Sequence, residues 1–342
     1  MTRKLVTLLG LITAILALAI ACAAPAPTPT PTPPTPTSPP PTPTKAPEPA
    51  VSQISIGGVG GTIFAAVFLP REATVPVGST LTWTQDADWG HQVTFLGSDG
   101  KLPALAQGQS DRTRPATLKV GETVSYDGSN FIHSGILARD NKISVTFTKE
   151  GTYKYLCPIH PGMEGTVKVV AKGQPYTTAP QATAVAKAEL DLVLALVKPT
   201  EATFTNLFSK KVAQKDGSTL VVVPVGPRNG VPGGFLEIAE FYPKEVKIKK
   251  GDTVRWLGFS GHTVTFLPAG QTSPPVAPAP ALAVAKPSPD YDGKSLYNSG
   301  GIGPTPEGAP GVFELKFPSA GTFNYICIPH FPEGQKGTVI VE

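Results

Sequence analysis

The sequence predicts an all-β chain built of two tandem sandwich domains joined by a partly helical linker. Three observations carry that reading: a set of motifs that recurs at nearly constant spacing, short alternating strands, and frequent glycine and proline between them. The 342 residues include 35 glycines and 39 prolines, many of the prolines in one tract near the start. Outside that tract the composition is that of a turn-rich β protein.

The recurrence is extensive. Phe68-Leu69-Pro70-Arg71-Glu72, Gly78 and Trp83 return as Phe241-Tyr242-Pro243-Lys244-Glu245, Gly251 and Trp256. Gly90-His91-Gln92-Val93-Thr94-Phe95 returns as Gly261-His262-Thr263-Val264-Thr265-Phe266. Gly151 to Cys157 returns as Gly321 to Cys327, and Gly165-Thr166-Val167 as Gly337-Thr338-Val339. The offset stays between 170 and 173, which marks a tandem duplication of one domain. Within a copy, Val145–Thr148 and Thr152–Tyr155 alternate around Lys149-Glu150-Gly151, a hairpin-like turn signal, and Val246–Lys249 before Lys250-Gly251-Asp252 reads the same way. Strands at this spacing favour an antiparallel sandwich.

The first copy spans 51–171 and the second 218–342. Residues 172–217 form the linker, where the spacing of Leu190, Leu194 and Val197 suits a helix. Ahead of the first copy, residues 23–50 alternate proline with threonine, alanine and serine. Such a tract has nothing to bury, so it reads as a disordered, extended tether. Arg3 and Lys4 precede an apolar run from Leu5 to Ile20, and Ala21 leads directly to Cys22. Residues 1–22 therefore read as an export signal. It resembles a bacterial lipobox, which implies a lipidated Cys22 and a chain held on the extracytoplasmic face of the membrane. An ordinary cleaved signal and an uncleaved anchor are the alternatives. The net charge of +4, with 16% charged residues and no basic stripe, gives nucleic-acid binding no support.

Cys157 and Cys327 hold the same place in the two copies, 170 residues apart, so a disulfide between them would interlock the domains. Two free cysteines in an exported chain need another reason, and metal ligation supplies one. Cys157-Pro158-Ile159-His160-Pro161-Gly162-Met163 places a thiolate, an imidazole and a thioether on one short loop, with His91 far upstream. One soft sulfur, two imidazoles and a weak thioether are the donor set of a blue-copper centre.

Here the chain resembles the cupredoxins. Cys-x2-His-x2-Met followed by x-Gly is similar to the amicyanin ligand loop, and His91 within His-Gln-Val-Thr-Phe resembles the upstream ligand strand of that family. The resemblance implies two Greek-key sandwiches, each with one type 1 copper: His91, Cys157, His160 and Met163 in the first. In the second, His262, Cys327 and His330 are retained, and the loop is two residues longer. Cys-x2-His-x4-Gln resembles the plastocyanin loop with Gln335 as axial ligand, as in the stellacyanin-like branch, and Glu333 is the competing axial candidate. Each copy carries about 65 residues between its upstream histidine and its cysteine, longer than in small members, with extra sequence around Leu102–Thr117 and Pro268–Pro289.

Of the five histidines, four belong to these two sets. The fifth, His133, has Asn298 as counterpart and reads as a surface or loop residue. No type 2 or trinuclear copper can then be assembled, so the chain reads as an electron carrier and not an enzyme. The resemblance further implies that electrons leave through the His160 and His330 ring edges, exposed beside Pro161 and beside Phe331 and Pro332, toward a cytochrome or another redox protein. Tyr155 and Tyr325 read as core side chains. An oxygen donor stabilises Cu(II) more than a thioether does, so electrons are expected to pass from the second copy to the first. An extracytoplasmic copper-storage or delivery protein is the alternative function.

Overall fold

A computed structural model describes residues 48–107, 109–272, 274, 284–286, 288–306 and 308–342. The leader, Cys22 and the tether up to residue 47 lie outside the described residues. In the first half the strands are β1 (Gln53–Gly58), β2 (Ile63–Leu69), β3 (Glu72–Pro76), β4 (Thr80–Gln85), β5 (Thr94–Phe95), β6 (Thr123–Tyr126), β7 (Ile132–His133), β8 (Lys142–Phe147), β9 (Gly151–Leu156) and β10 (Glu164–Val170). Helices α1 (Ala179–Ala195) and α2 (Val197–Phe208) follow. The second half continues with β11 (Lys210–Ala213), β12 (Thr219–Val225), β13 (Arg228–Val231), β14 (Gly234–Ile238), β15 (Glu245–Ile248) and β16 (Thr253–Gly258). It ends with β17 (Thr265–Phe266), β18 (Tyr297–Asn298), β19 (Gly311–Lys316), β20 (Gly321–Ile326) and β21 (Lys336–Val341).

Each half is a two-sheet sandwich. One first-half sheet runs β3-β10-β9-β5-β7, and its second-half counterpart runs β15-β21-β20-β17-β18. Alternation builds the cores: Leu81, Trp83, Ile143, Val145 and Phe147 point inward from β4 and β8, and Val254, Trp256, Phe313 and Leu315 do so from β16 and β19. Tyr155 and Tyr325 sit inside these cores at 1% exposure, edge-on to Trp83 and Trp256.

The expected hairpins are not hairpins. β8 pairs with β4 and β6, whereas β9 pairs with β10 and β5, so Lys149-Glu150-Gly151 carries the chain from one sheet to the other. β15 and β16 are likewise in different sheets. Alternation reports that one face is buried, and both layers of a sandwich satisfy it equally; it does not say which strand is the neighbour.

The halves share a sheet. Its order is β13-β14-β2-β1-β4-β8-β6, so a hairpin from beyond the linker extends the first sandwich. β2 and β14 are antiparallel, with Phe64 opposite Glu237 and Ala66 opposite Phe235. At the repeat offset of 173, Phe64 and Glu237 are counterparts, so this pair marks a pseudo-twofold axis between the halves. Gly234 allows the approach: a Cβ there would lie 1.9 Å from the Ala66 carbonyl oxygen. On the outer face, Ala65, Val67, Leu69, Leu236 and Ile238 are covered by Val193 and Val197 of the two helices. Burial on both faces explains why β2 reads Ile-Phe-Ala-Ala-Val-Phe-Leu without alternation. Thr178 caps α1 with a reciprocal Gln181 contact, and β11, from within the linker, pairs with β12.

Candidate metal centres

The loop after β9 is a tight turn that closes on itself. The Cys157 amide donates to the Met163 carbonyl at 2.9 Å, and the His160 amide to the Cys157 carbonyl at 3.1 Å. The Gln92 amide donates to Cys157 Sγ at 3.3 Å, which ties the thiol to the residue after His91. Cys157 Sγ lies 3.4 Å from His160 Nδ1, and His160 Nδ1 lies 2.9 Å from His91 Nδ1. Met163 is buried at 1% exposure in the core beside this loop.

The second centre repeats the arrangement and adds an oxygen. Cys327 Sγ lies 3.3 Å from His330 Nδ1 and 3.7 Å from His262 Nδ1, and the two imidazole nitrogens are 2.8 Å apart. Gln335 Oε1 lies 2.9 Å from each of those nitrogens. The Thr263 amide donates to Cys327 Sγ at 3.3 Å, as Gln92 does in the first centre. Glu333 does not join the group: it lines a cleft together with His330. Its buried Oε2 has no partner among the described residues.

Beneath each upstream histidine a strand ends on a left-handed glycine. Gly57 has φ +72° under His91, and Gly226 has φ +63° under His262, where a Cβ would lie 1.6 Å from Nε2. Only glycine combines that backbone with so close an approach.

The electrostatics of the two centres differ. Burial pushes the Cys157 thiol up to about 11, and burial followed by the Arg112 and Arg228 charges lowers His160 to about 4. In the second centre burial opposes ionisation too, but hydrogen bonds outweigh it. The Cys327 thiol is lowered by its contacts with His262 and His330, and His262 is raised by Cys327 and Glu237. Glu237, at 1% exposure, has Oε1 3.3 Å from His262 Nε2, while Arg228 Nε and Nη2 donate to its Oε2 at 3.1 and 3.0 Å. The contact has the distance of an ion pair and not the geometry of a hydrogen bond, and a carboxylate beside an imidazole raises its basicity. Where the second copy has Glu237, the first has Phe64.

Two sequence expectations change. His133 is not a surface residue: it is fully buried on β7, with Nδ1 2.7 Å from Thr94 Oγ1. Its counterpart Asn298 makes the same contact with Thr265, at 3.1 Å. The His160 and His330 ring edges do not reach the surface, since each residue is 4% exposed. In the extra loop of the first copy the Asp111 carbonyl accepts from Gln92 Nε2 at 2.9 Å, and the Arg114 side chain is buried. Glu237 and Trp89 were missed because neither recurs. Glu237 is the one acid in the apolar β14, and Trp89 stands where the second copy has Ser260.

Two buried groups of one thiol and two imidazoles, each with its donor atoms within 4.8 Å of one another, define a pair of soft-metal centres set in β-sandwiches. The family model of copper-binding proteins, plastocyanin/azurin family, matches residues 57–170 and 236–342. Plastocyanin of Scenedesmus fuscus is 33% identical over 105 residues, covering 30% of this chain and 86% of its own. Among solved structures, a purple cupredoxin from Nitrosopumilus maritimus is 27% identical, over 35% of this chain and 99% of that one, with TM-score 0.23. Amicyanin from Paracoccus versutus is 20% identical, over 35% and 81%, with TM-score 0.24. The chain belongs to the plastocyanin/azurin family of copper-binding proteins, as a two-domain cupredoxin. Its two His-Cys-His groups, one in each half, fit two copper ions.

Proposed function

We propose that this chain is an exported, lipid-anchored electron-transfer protein that holds one type 1 copper in each half. The donors are His91, Cys157, His160 and Met163 in the first, and His262, Cys327, His330 and Gln335 in the second. The observation that carries the reading is the convergence in the second half, where Gln335 Oε1 lies 2.9 Å from both imidazole nitrogens, above a thiol 3.3 Å from one of them. Imidazoles and a buried thiol, with no carboxylate among the donor atoms, suit copper better than a hard cation. When bound, copper supplies a one-electron Cu(II)/Cu(I) couple. The residues supply the rest: a pre-formed cage whose histidines and cysteines are packed in the core, so that little moves when charge changes.

The reading as a carrier is supported by the histidines: four lie in the two groups, His133 is bound to Thr94, and no third such group occurs among the described residues. The partners are then redox proteins, a cytochrome among the candidates, met at the extracytoplasmic face where an acylated Cys22 holds the tether. Metal analysis with visible spectroscopy tests the reading. Two copper ions per chain and an intense thiolate-to-copper band are expected, and Cys157→Ser and Cys327→Ser should each remove one ion. Copper bound only as colourless, readily exchanged Cu(I) would point to storage or delivery instead.

A further inference from the structure

The two imidazoles that a cupredoxin would turn toward its partner, His160 and His330, line one cleft here between the halves. Trp89 lines the same cleft and neighbours both rings. Its indole lies flat on His330, with ring centroids 4.3 Å apart and planes 9° apart. The same indole is 6.5 Å from the His160 ring, at 25°. Phe64, at the pseudo-twofold axis, packs against Trp89 at 3.8 Å and lies 6.0 Å from His330. Gln85, wholly buried, donates from Nε2 to the carbonyls of Ala87, at 2.9 Å, and of Trp89, which holds the loop in place. Trp89 therefore sits in a fixed stack, built by residues of both halves.

We propose that Trp89 is the contact through which the two copper centres exchange electrons within one chain, so that the protein works as a two-site relay. This rests on the two-copper reading above. Each imidazole turns Nδ1 to its thiol, and the one indole neighbours both rings, so three rings in sequence link one donor cage to the other. The covalent alternative from Cys157 to Cys327 is 170 residues of chain. One electron crosses: the reduced site becomes Cu(II), the oxidised site becomes Cu(I), and no proton, atom or outside reagent is needed. The asymmetry fits a bridge. A single indole occupies the pseudo-twofold interface, and its counterpart Ser260 leaves room for it.

The test uses the full two-copper protein. After one site is reduced by a fast pulse of a radical one-electron donor, the colour change as the sites equilibrate gives the internal rate. In the native protein that rate should not depend on protein concentration. Trp89→Leu should slow it about tenfold or more, equivalent to ~1.4 kcal/mol of barrier, with both coppers bound and both bands unchanged. Trp89→Phe, which keeps a ring in the stack, should recover part of the rate and covers the case in which the leucine variant folds poorly. A second readout needs no metal: in the copper-free protein the His330 ring protons should be shifted upfield by the indole and should lose that shift in Trp89→Leu. An unchanged exchange rate in the variant, a concentration-dependent rate in the native protein, or unshifted His330 protons overturns the bridge. Fewer than two coppers in the native protein overturns the earlier reading instead.

Discussion

Glu237 Oε1 lies 3.3 Å from His262 Nε2, and both residues are essentially without solvent contact. Both belong to the second half: the carboxylate comes from β14, the strand of that half that is paired into the first half's sheet, and the imidazole from its His-Cys-His group. The interface between the halves thus supplies the partner of one donor residue, and Arg228 completes it by neutralising the buried acid at 3.0 Å. Among the described residues no carboxylate is paired with His91, and Phe64 is the counterpart of Glu237 in the repeat.

Glu237→Gln keeps the shape and removes the charge. Copper affinity of the second centre should fall about 10–100-fold, and that of the first should not change. Competition with a coloured copper chelator, in Cys157→Ser and Cys327→Ser backgrounds, separates the two sites. Equal losses at both would contradict the assignment.

The axial position of the second centre is tested by Gln335→Met and Glu333→Gln. A thioether stabilises Cu(II) less than an oxygen does, so Gln335→Met should raise the potential of that site. Glu333→Gln should leave its band and potential in place. In the native protein the second site should have the lower potential of the two. A redox titration that finds equal or inverted potentials removes the second-to-first direction of electron flow.

His133 predicts a pH dependence. Burial, followed by the Arg114 charge, lowers its pKa from 6.5 to about 4 in the folded chain. The unfolded chain takes up a proton below pH 6.5 and the native state does not. The stabilisation is therefore complete above that pH and is lost as pH falls through 4. The copper-loaded protein should lose unfolding free energy across this window. His133→Asn, the residue of the second copy, should flatten that part of the curve. Parallel curves for the two proteins would rule the role out.

Gly234→Ala should force β14 from β2, since the new methyl would meet the Ala66 carbonyl oxygen at 1.9 Å. A loss of about 1–3 kcal/mol in denaturant unfolding is expected, with slower exchange between the copper centres. Gly230, on the neighbouring β13, has nothing within 4 Å of a built Cβ and serves as control.

Much of this protein was legible along the chain because its chemistry is local. Each cage takes two or three donors from one short loop, and the loop's spacing is a property of sequence. The duplication made the upstream histidines visible as well, since His91 and His262 keep their place. Strand neighbours were not legible: Lys149-Glu150-Gly151 looks like a hairpin and is a crossing between layers, because alternation reports burial and not pairing.

What the sequence by itself determined is therefore the two His-Cys-His groups, the sandwich class and the tandem plan. What only the tertiary structure decided is how the copies meet: β2 against β14, Glu237 behind His262, and Trp89 flat on His330. Two of those contacts join residues from different copies, and Glu237 and Trp89 are unlike their own counterparts, so the comparison of repeats hides them. They form only when two apolar strands, distant in the chain, bury each other's faces beneath a pair of helices.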